Sequence, residues 1–160
     1  MPSTDSTVIV APEGLPTIEI TREFEAPIAK VFTAFTDPEL IPQWLGPREY
    51  EFVVDHLDVR TGGSYRYLQR DTDGNEFAFR GAYHTVEAPT TSIQTWEFEG
   101  FPGEVSLEFM HLEPIGENRT RGVFTSHYRS LEARNGLISS GMERGLRDSH
   151  LRMDEVLARM

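Results

Sequence analysis

From Thr17 to Glu25 the side chains alternate. Ile18, Ile20 and Phe24 fall on one parity and Thr17, Glu19, Thr21, Glu23 and Glu25 on the other, the period-two signature of a strand with one buried face. At Ala26-Pro27 the period changes. Ile28, Val31, Phe32 and Phe35 then recur at helical spacing, and a proline in the first helical turn sacrifices no needed N–H. Thr36-Asp37-Pro38 repeats this cap-and-proline signal, which predicts a second short helix running to about Trp44, where Gly46-Pro47 stops it.

The middle of the chain reads as an antiparallel meander: about Tyr50 to Leu57, Ser64 to Arg70, Phe77 to Glu87, Ser92 to Phe98, Glu104 to Leu112 and Arg119 to Tyr128. Turn residues separate the runs. Gly62-Gly63, Asp73-Gly74-Asn75, Ala88-Pro89, Phe101-Pro102-Gly103 and Gly116-Glu117-Asn118 supply positive or preset φ for tight reversals, and such short loops leave no room for helical crossovers. The segment from about Leu131 to Ala158 reads as one helix, about 40 Å long at 1.5 Å per residue, with Ser130 as its N-cap. Ile138, Met142, Leu146, Met153, Leu157 and Met160 form its apolar stripe, backed by Arg134, Glu143, Arg147 and Asp154.

The predicted fold is therefore α+β: a curved antiparallel sheet of six to seven strands wrapped around a long C-terminal helix, with two short helices after the first strand. Residues 1–16, rich in Pro2, Pro12, Gly14 and Pro16, are expected to form a flexible arm, whose Val8-Ile9-Val10 run can cover a sheet edge or add a strand to a neighbour. Residues 17–160 form one domain. A helix resting on a curved sheet touches it firmly at one end and leaves a gap elsewhere, so a cavity is expected.

Composition narrows the function. The 160 residues suffice for one substantial core. A net charge of −11 with no basic run disfavours nucleic acid, whose phosphates are held by clustered Lys and Arg. With no cysteine there is no disulfide, thiolate nucleophile or Cys-bound zinc. The opening residues Met1 to Thr7 lack a positive region, and Val8-Ile9-Val10-Ala11 is too short for a signal core or a membrane span, so a cytoplasmic protein is expected.

Candidate chemistry is sparse. His56, His84, His111, His127 and His150 stand singly, without the paired spacing of a metal site. Asp55 and His56 adjoin, yet neighbours on a strand point to opposite faces and read as surface polarity. Ser64, Ser126 and Ser130 lack a nucleophile-elbow context, and Gly62-Gly63 leads into a strand, as a hairpin turn does, rather than into the helix N-terminus of a phosphate cradle. No catalytic residue, metal or cofactor is assigned.

The aromatic residues are more informative. Tyr65, Tyr67, Phe77, Phe79, Trp96 and Phe109 sit at strand spacing and should line a common interior; core packing explains most of them, while the polar atoms of Tyr and Trp suit a cavity wall. Gly141 and Gly145, four apart on the predicted helix, each cost about 1 kcal/mol relative to alanine, which close packing or an open space over the sheet would offset. Arg144 beside them reads as a solvated position. The candidate ligand-binding set is Trp44, Tyr65, Tyr67, Phe79, Trp96, Phe109, Ile138, Gly141, Met142 and Gly145.

Several local sequences together resemble the START/Bet v 1-like helix-grip superfamily, in the branch of the Hsp90 ATPase activator C-terminal domain, over about Ile18 to Leu157. They are Phe24-Glu25-Ala26-Pro27, Val31-Phe32, Phe35-Thr36-Asp37-Pro38, Trp44-Leu45-Gly46-Pro47, Gly62-Gly63-Ser64-Tyr65-Arg66-Tyr67, Asp73-Gly74, Gly81, Val86-Glu87-Ala88-Pro89 and Thr95-Trp96. The resemblance implies a stand-alone bacterial domain that binds a small hydrophobic or amphipathic molecule, as a monomer or homodimer, with no invariant catalytic set to carry over. A cyclase- or hydrolase-like enzyme is the alternative, and a chaperone partner the lesser one. Where many relatives have Gly-Trp in the final helix this chain has Gly141-Met142, which implies a larger or differently shaped pocket.

Overall fold

Burial along Thr17–Phe24 (β2) follows the sequence parity: Ile18, Ile20 and Phe24 are buried, and so is Arg22 between them. In the computed structural model, which describes residues 6–160, this strand lies near one edge of an eight-stranded antiparallel sheet. The other strands are Val8–Val10 (β1), Glu51–Leu57 (β3), Ser64–Arg70 (β4), Glu76–Glu87 (β5), Thr91–Phe98 (β6), Val105–Ile115 (β7) and Arg119–His127 (β8), in the spatial order β1-β2-β8-β7-β6-β5-β4-β3. Each predicted strand run matches one of these with ends shifted by a few residues at most.

The strand count is eight rather than six to seven. The extra strand is β1, drawn from the segment expected to be a loose arm; it pairs Val8 with Thr21 and Val10 with Glu19 along the open edge of β2. Of the two roles the sequence offered the Val8-Ile9-Val10 run, covering a sheet edge is the one the structure shows. Residues 1–5 of that expected arm lie outside the described residues.

Two helices follow β2. Ile28–Thr36 (α1) has Pro27 as its N-cap and buries Val31, Phe32 and Ala34. Ile41–Trp44 (α2) starts later than Pro38 suggests, because 38–40 form a turn closed by Asp37, whose carbonyl accepts from the Leu40 and Ile41 amides. The Trp44 indole donates to the Ala34 carbonyl at 2.8 Å, which ties α2 to α1.

The C-terminal segment departs from expectation. Instead of one helix there are two, Leu131–Ser139 (α3) and Met142–Arg159 (α4), separated at Gly141 with φ of 86°. Ser130 caps α3 as predicted, its hydroxyl accepting from the Ala133 amide at 3.0 Å. Ser139-Ser140-Gly141 combines two weak helix formers with the residue that best tolerates left-handed backbone, so the helix ends there. The predicted stripe is correspondingly cut: Met153 and Leu157 are buried, whereas Ile138 and Met160 are exposed. Among the described residues no helix is long and apolar enough to cross a membrane.

α4 lies against α1 and α2, and its link to the sheet is polar as well as apolar. His150 meets the rings of Phe24 and Phe124 at 5.9 and 6.1 Å, while Arg22 makes two parallel hydrogen bonds to Asp154. Arg152 donates to the Gly46 carbonyl and Ser149 accepts from the Gly46 amide, clamping the turn after α2. These contacts hold the helices over one end of the curved sheet.

Candidate functional site

Two pockets adjoin between the inner face of the sheet and the helices α1 and α2. The first, of about 170 Å³, is lined by Phe35, Thr36, Tyr83, Ser92, Gln94, Glu108, Phe109, Met110 and Phe124; the second, of about 130 Å³, adds Ile41, Trp44, Leu45, Tyr67 and Trp96. Phe35, Tyr83 and Gln94 border both. Each pocket is smaller than the about 300 Å³ at the lower end of the range for small-molecule sites.

An aromatic layer forms the floor. Tyr65 stacks on Tyr67 with centroids 4.8 Å apart, Trp96 lies 5.9 Å from Tyr65 and 5.1 Å from Phe79, and Phe35 in the roof meets Trp44 at 5.0 Å. Gly81, the cross-strand partner of Tyr65, makes this packing possible. A Cβ there would stand 2.1 Å from the Thr95 carbonyl oxygen and 2.4 Å from the Tyr65 hydroxyl, which donates to that same carbonyl. Burial raises the pKa of the Tyr65 and Tyr67 hydroxyls far above the ordinary tyrosine value, and pushes Tyr83 up to about 12 against a smaller opposing effect from its contact with Tyr67. All three therefore stay neutral donors at physiological pH.

Glu108 is the one carboxylate among the described lining residues. Ser106 donates to its Oε1 at 2.6 Å and Ser126 donates to its Oε2. Burial raises its pKa from the usual 4.5, and the two serine hydrogen bonds only partly offset that. Its side chain is half-buried, because the surface it keeps faces the pocket.

The structure divides the candidate set predicted from sequence. Trp44, Tyr67 and Trp96 line the second pocket, with Tyr65 and Phe79 in the aromatic layer against them. Phe109 borders the first pocket, yet strand alternation turns its ring to the outer face, where it meets His127 edge-on at 5.3 Å. Ile138, Gly141, Met142 and Gly145 line neither pocket; the helix is interrupted at Gly141, and no atom lies within 4 Å of a Cβ placed at either glycine.

Sequence reasoning passed over Phe35, Tyr83, Gln94, Glu108 and Phe124 as site residues. On β7 the alternation itself misleads. Val105, Leu107 and Phe109 make the more apolar parity but face outward, whereas Ser106, Glu108, Met110 and Leu112 face inward. Pairing with Gln94 on β6 and Ser126 on β8 sets that register, and only the sheet reveals it.

Comparison with known proteins agrees with this architecture. Residues 25–158 match the family described as Activator of Hsp90 ATPase homolog 1-like protein. A solution structure from Arthrobacter aurescens is 26% identical with a TM-score of 0.86, covering 96% of this chain and 92% of that one. Crystal structures of proteins from Rhodobacter sphaeroides (23% identical, TM-score 0.88, 97% of this chain and 100% of that one) and Mycobacterium smegmatis (23%, 0.84, 94% and 96%) share the fold. No curated protein matches the chain.

Proposed function

This chain belongs to the Activator of Hsp90 ATPase homolog 1-like family, in its bacterial helix-grip form, and from that premise we propose that it binds a small hydrophobic or amphipathic molecule between the sheet and α1–α2. The observation that carries this reading is the pair of adjoining pockets: aromatic and aliphatic side chains make most of the wall, and Tyr83, Gln94, Ser92 and Glu108 place a few polar atoms in it. That balance is typical of a site that orients a ligand by one polar end while burying the rest.

Native mass spectrometry of the purified protein, with thermal-shift screening of fatty acids, flavonoids and polyketide-like aromatics, tests it. A co-purifying molecule, or a saturable shift lost in Trp96→Ala, is the expected result. No retained molecule and no shift would move the function to a partner-binding role, and stoichiometric capture of a chaperone would make that role concrete.

Convergence of Glu108, Tyr83 and Gln94 on one pocket favours a second reading, a cyclase- or hydrolase-like enzyme in which Glu108 moves a proton on a bound ligand. Recovery of the stabilising ligand chemically unchanged after prolonged incubation would remove that reading. A new product mass abolished in Glu108→Gln would establish it.

A further inference from the structure

We infer that the cavity selects an amphipathic amine, a small apolar molecule whose protonated nitrogen seats on the carboxylate of Glu108; this rests on the ligand-binding reading above. The lining of both pockets contains one acidic side chain and no Arg, Lys or His. Glu108 takes a single hydroxyl hydrogen bond on each oxygen, from Ser106 and Ser126, and each oxygen keeps lone-pair capacity for another donor. Neither serine brings positive charge.

A second core carboxylate shows what this chain does when it satisfies such a group itself. Asp154 receives the Arg22 guanidinium through two bonds of 2.7 and 2.6 Å. Among the described residues no guanidinium or ammonium pairs with Glu108. His127 on the neighbouring strand acts on Glu108 only through its charge, which opposes the rise in pKa, while its ring packs edge-on against Phe109. A partly buried carboxylate without a hydrogen-bonded counterion is costly, and a ligand cation would reduce that cost.

The rest of the wall suits the same ligand. Phe35, Tyr83 and Phe124 line the pocket that holds Glu108, and the adjoining pocket adds Trp44, Tyr67 and Trp96, aromatic area that accepts an apolar body. A carboxylate or phosphate ligand would meet Glu108 with no basic lining residue to neutralise it, in a chain of net charge −11.

Three probes with the same tail, octylamine, octanol and octanoate, titrated calorimetrically into the full chain at neutral pH, separate charge from hydrophobic burial. The expected order is octylamine tightest, octanol weaker by about tenfold or more, as loss of a charge-assisted hydrogen bond implies, and octanoate weakest. Glu108→Gln keeps the side-chain volume and should abolish the amine preference, with a cooperative thermal melt reporting that the variant is folded. If octanoate binds the wild type as tightly as octylamine, or if Glu108→Gln retains the preference, the amine assignment is wrong while ligand binding stands. If none of the three probes binds, the ligand-binding reading itself falls and the amine assignment falls with it.

Discussion

Arg22 and Asp154, 132 positions apart in the chain, meet through two parallel hydrogen bonds of 2.7 and 2.6 Å that join β2 to α4. Arg22 occupies an inward position of an otherwise apolar parity, and its guanidinium also lies 5.0 Å from the Phe24 ring and donates to Thr7. Removing the acid alone would take two charge-assisted hydrogen bonds from a buried cation. Asp154→Ala is expected to lose about 3 kcal/mol of stability in denaturant unfolding, because breaking one side of a buried pair costs more than the pair contributes. A loss below about 1 kcal/mol would show that water replaces the carboxylate.

The raised pKa of Glu108 makes an opposite prediction for stability against pH. The folded state holds this proton more tightly than the unfolded state, so stability falls as pH rises from about 4.5 toward the folded value. Glu108→Gln has no such proton to lose. The variant should therefore be more stable than the wild type at neutral pH, with the gap closing below about pH 4.5. His127, whose charge opposes the rise in the Glu108 pKa, is unchanged in the variant, and the neutral hydroxyls of Tyr65 and Tyr128 do not titrate in this range, so the difference between the two stability curves reports Glu108.

Gly81→Ala should destabilise the protein by about 2–3 kcal/mol, since its Cβ would overlap the Thr95 carbonyl and the Tyr65 hydroxyl, neither of which can move without breaking the sheet or the aromatic layer. Chemical denaturation measures the loss. Tyrosine fluorescence would change as Tyr65 is displaced.

Gly141→Ala separates a backbone role from a pocket role. With φ of 86° and open space around its Cβ position, the substitution should cost about 1–2 kcal/mol through left-handed strain alone and leave ligand affinity unchanged. A change in affinity without loss of stability would restore the glycine to the pocket wall.

Local pattern determined most of the architecture. Alternation in Thr17–Phe24, the Pro27 and Gly46 boundaries, and the glycine and proline turns located seven strands and both short helices to within a few residues, because each signal depends only on neighbours along the chain. Strand alternation put Tyr65, Tyr67, Phe79 and Trp96 on one face, and the structure gathers them in one aromatic layer with Trp44 of α2 beside it. Only the tertiary structure could turn β7 so that Glu108 faces the cavity and Phe109 faces out, since register comes from the strands beside it and not from its own residues. It also placed Arg22 against Asp154, drew Val8–Val10 onto the sheet edge and ended α3 at Gly141. Those outcomes depend on contacts between distant segments, and their energies have no trace in local periodicity.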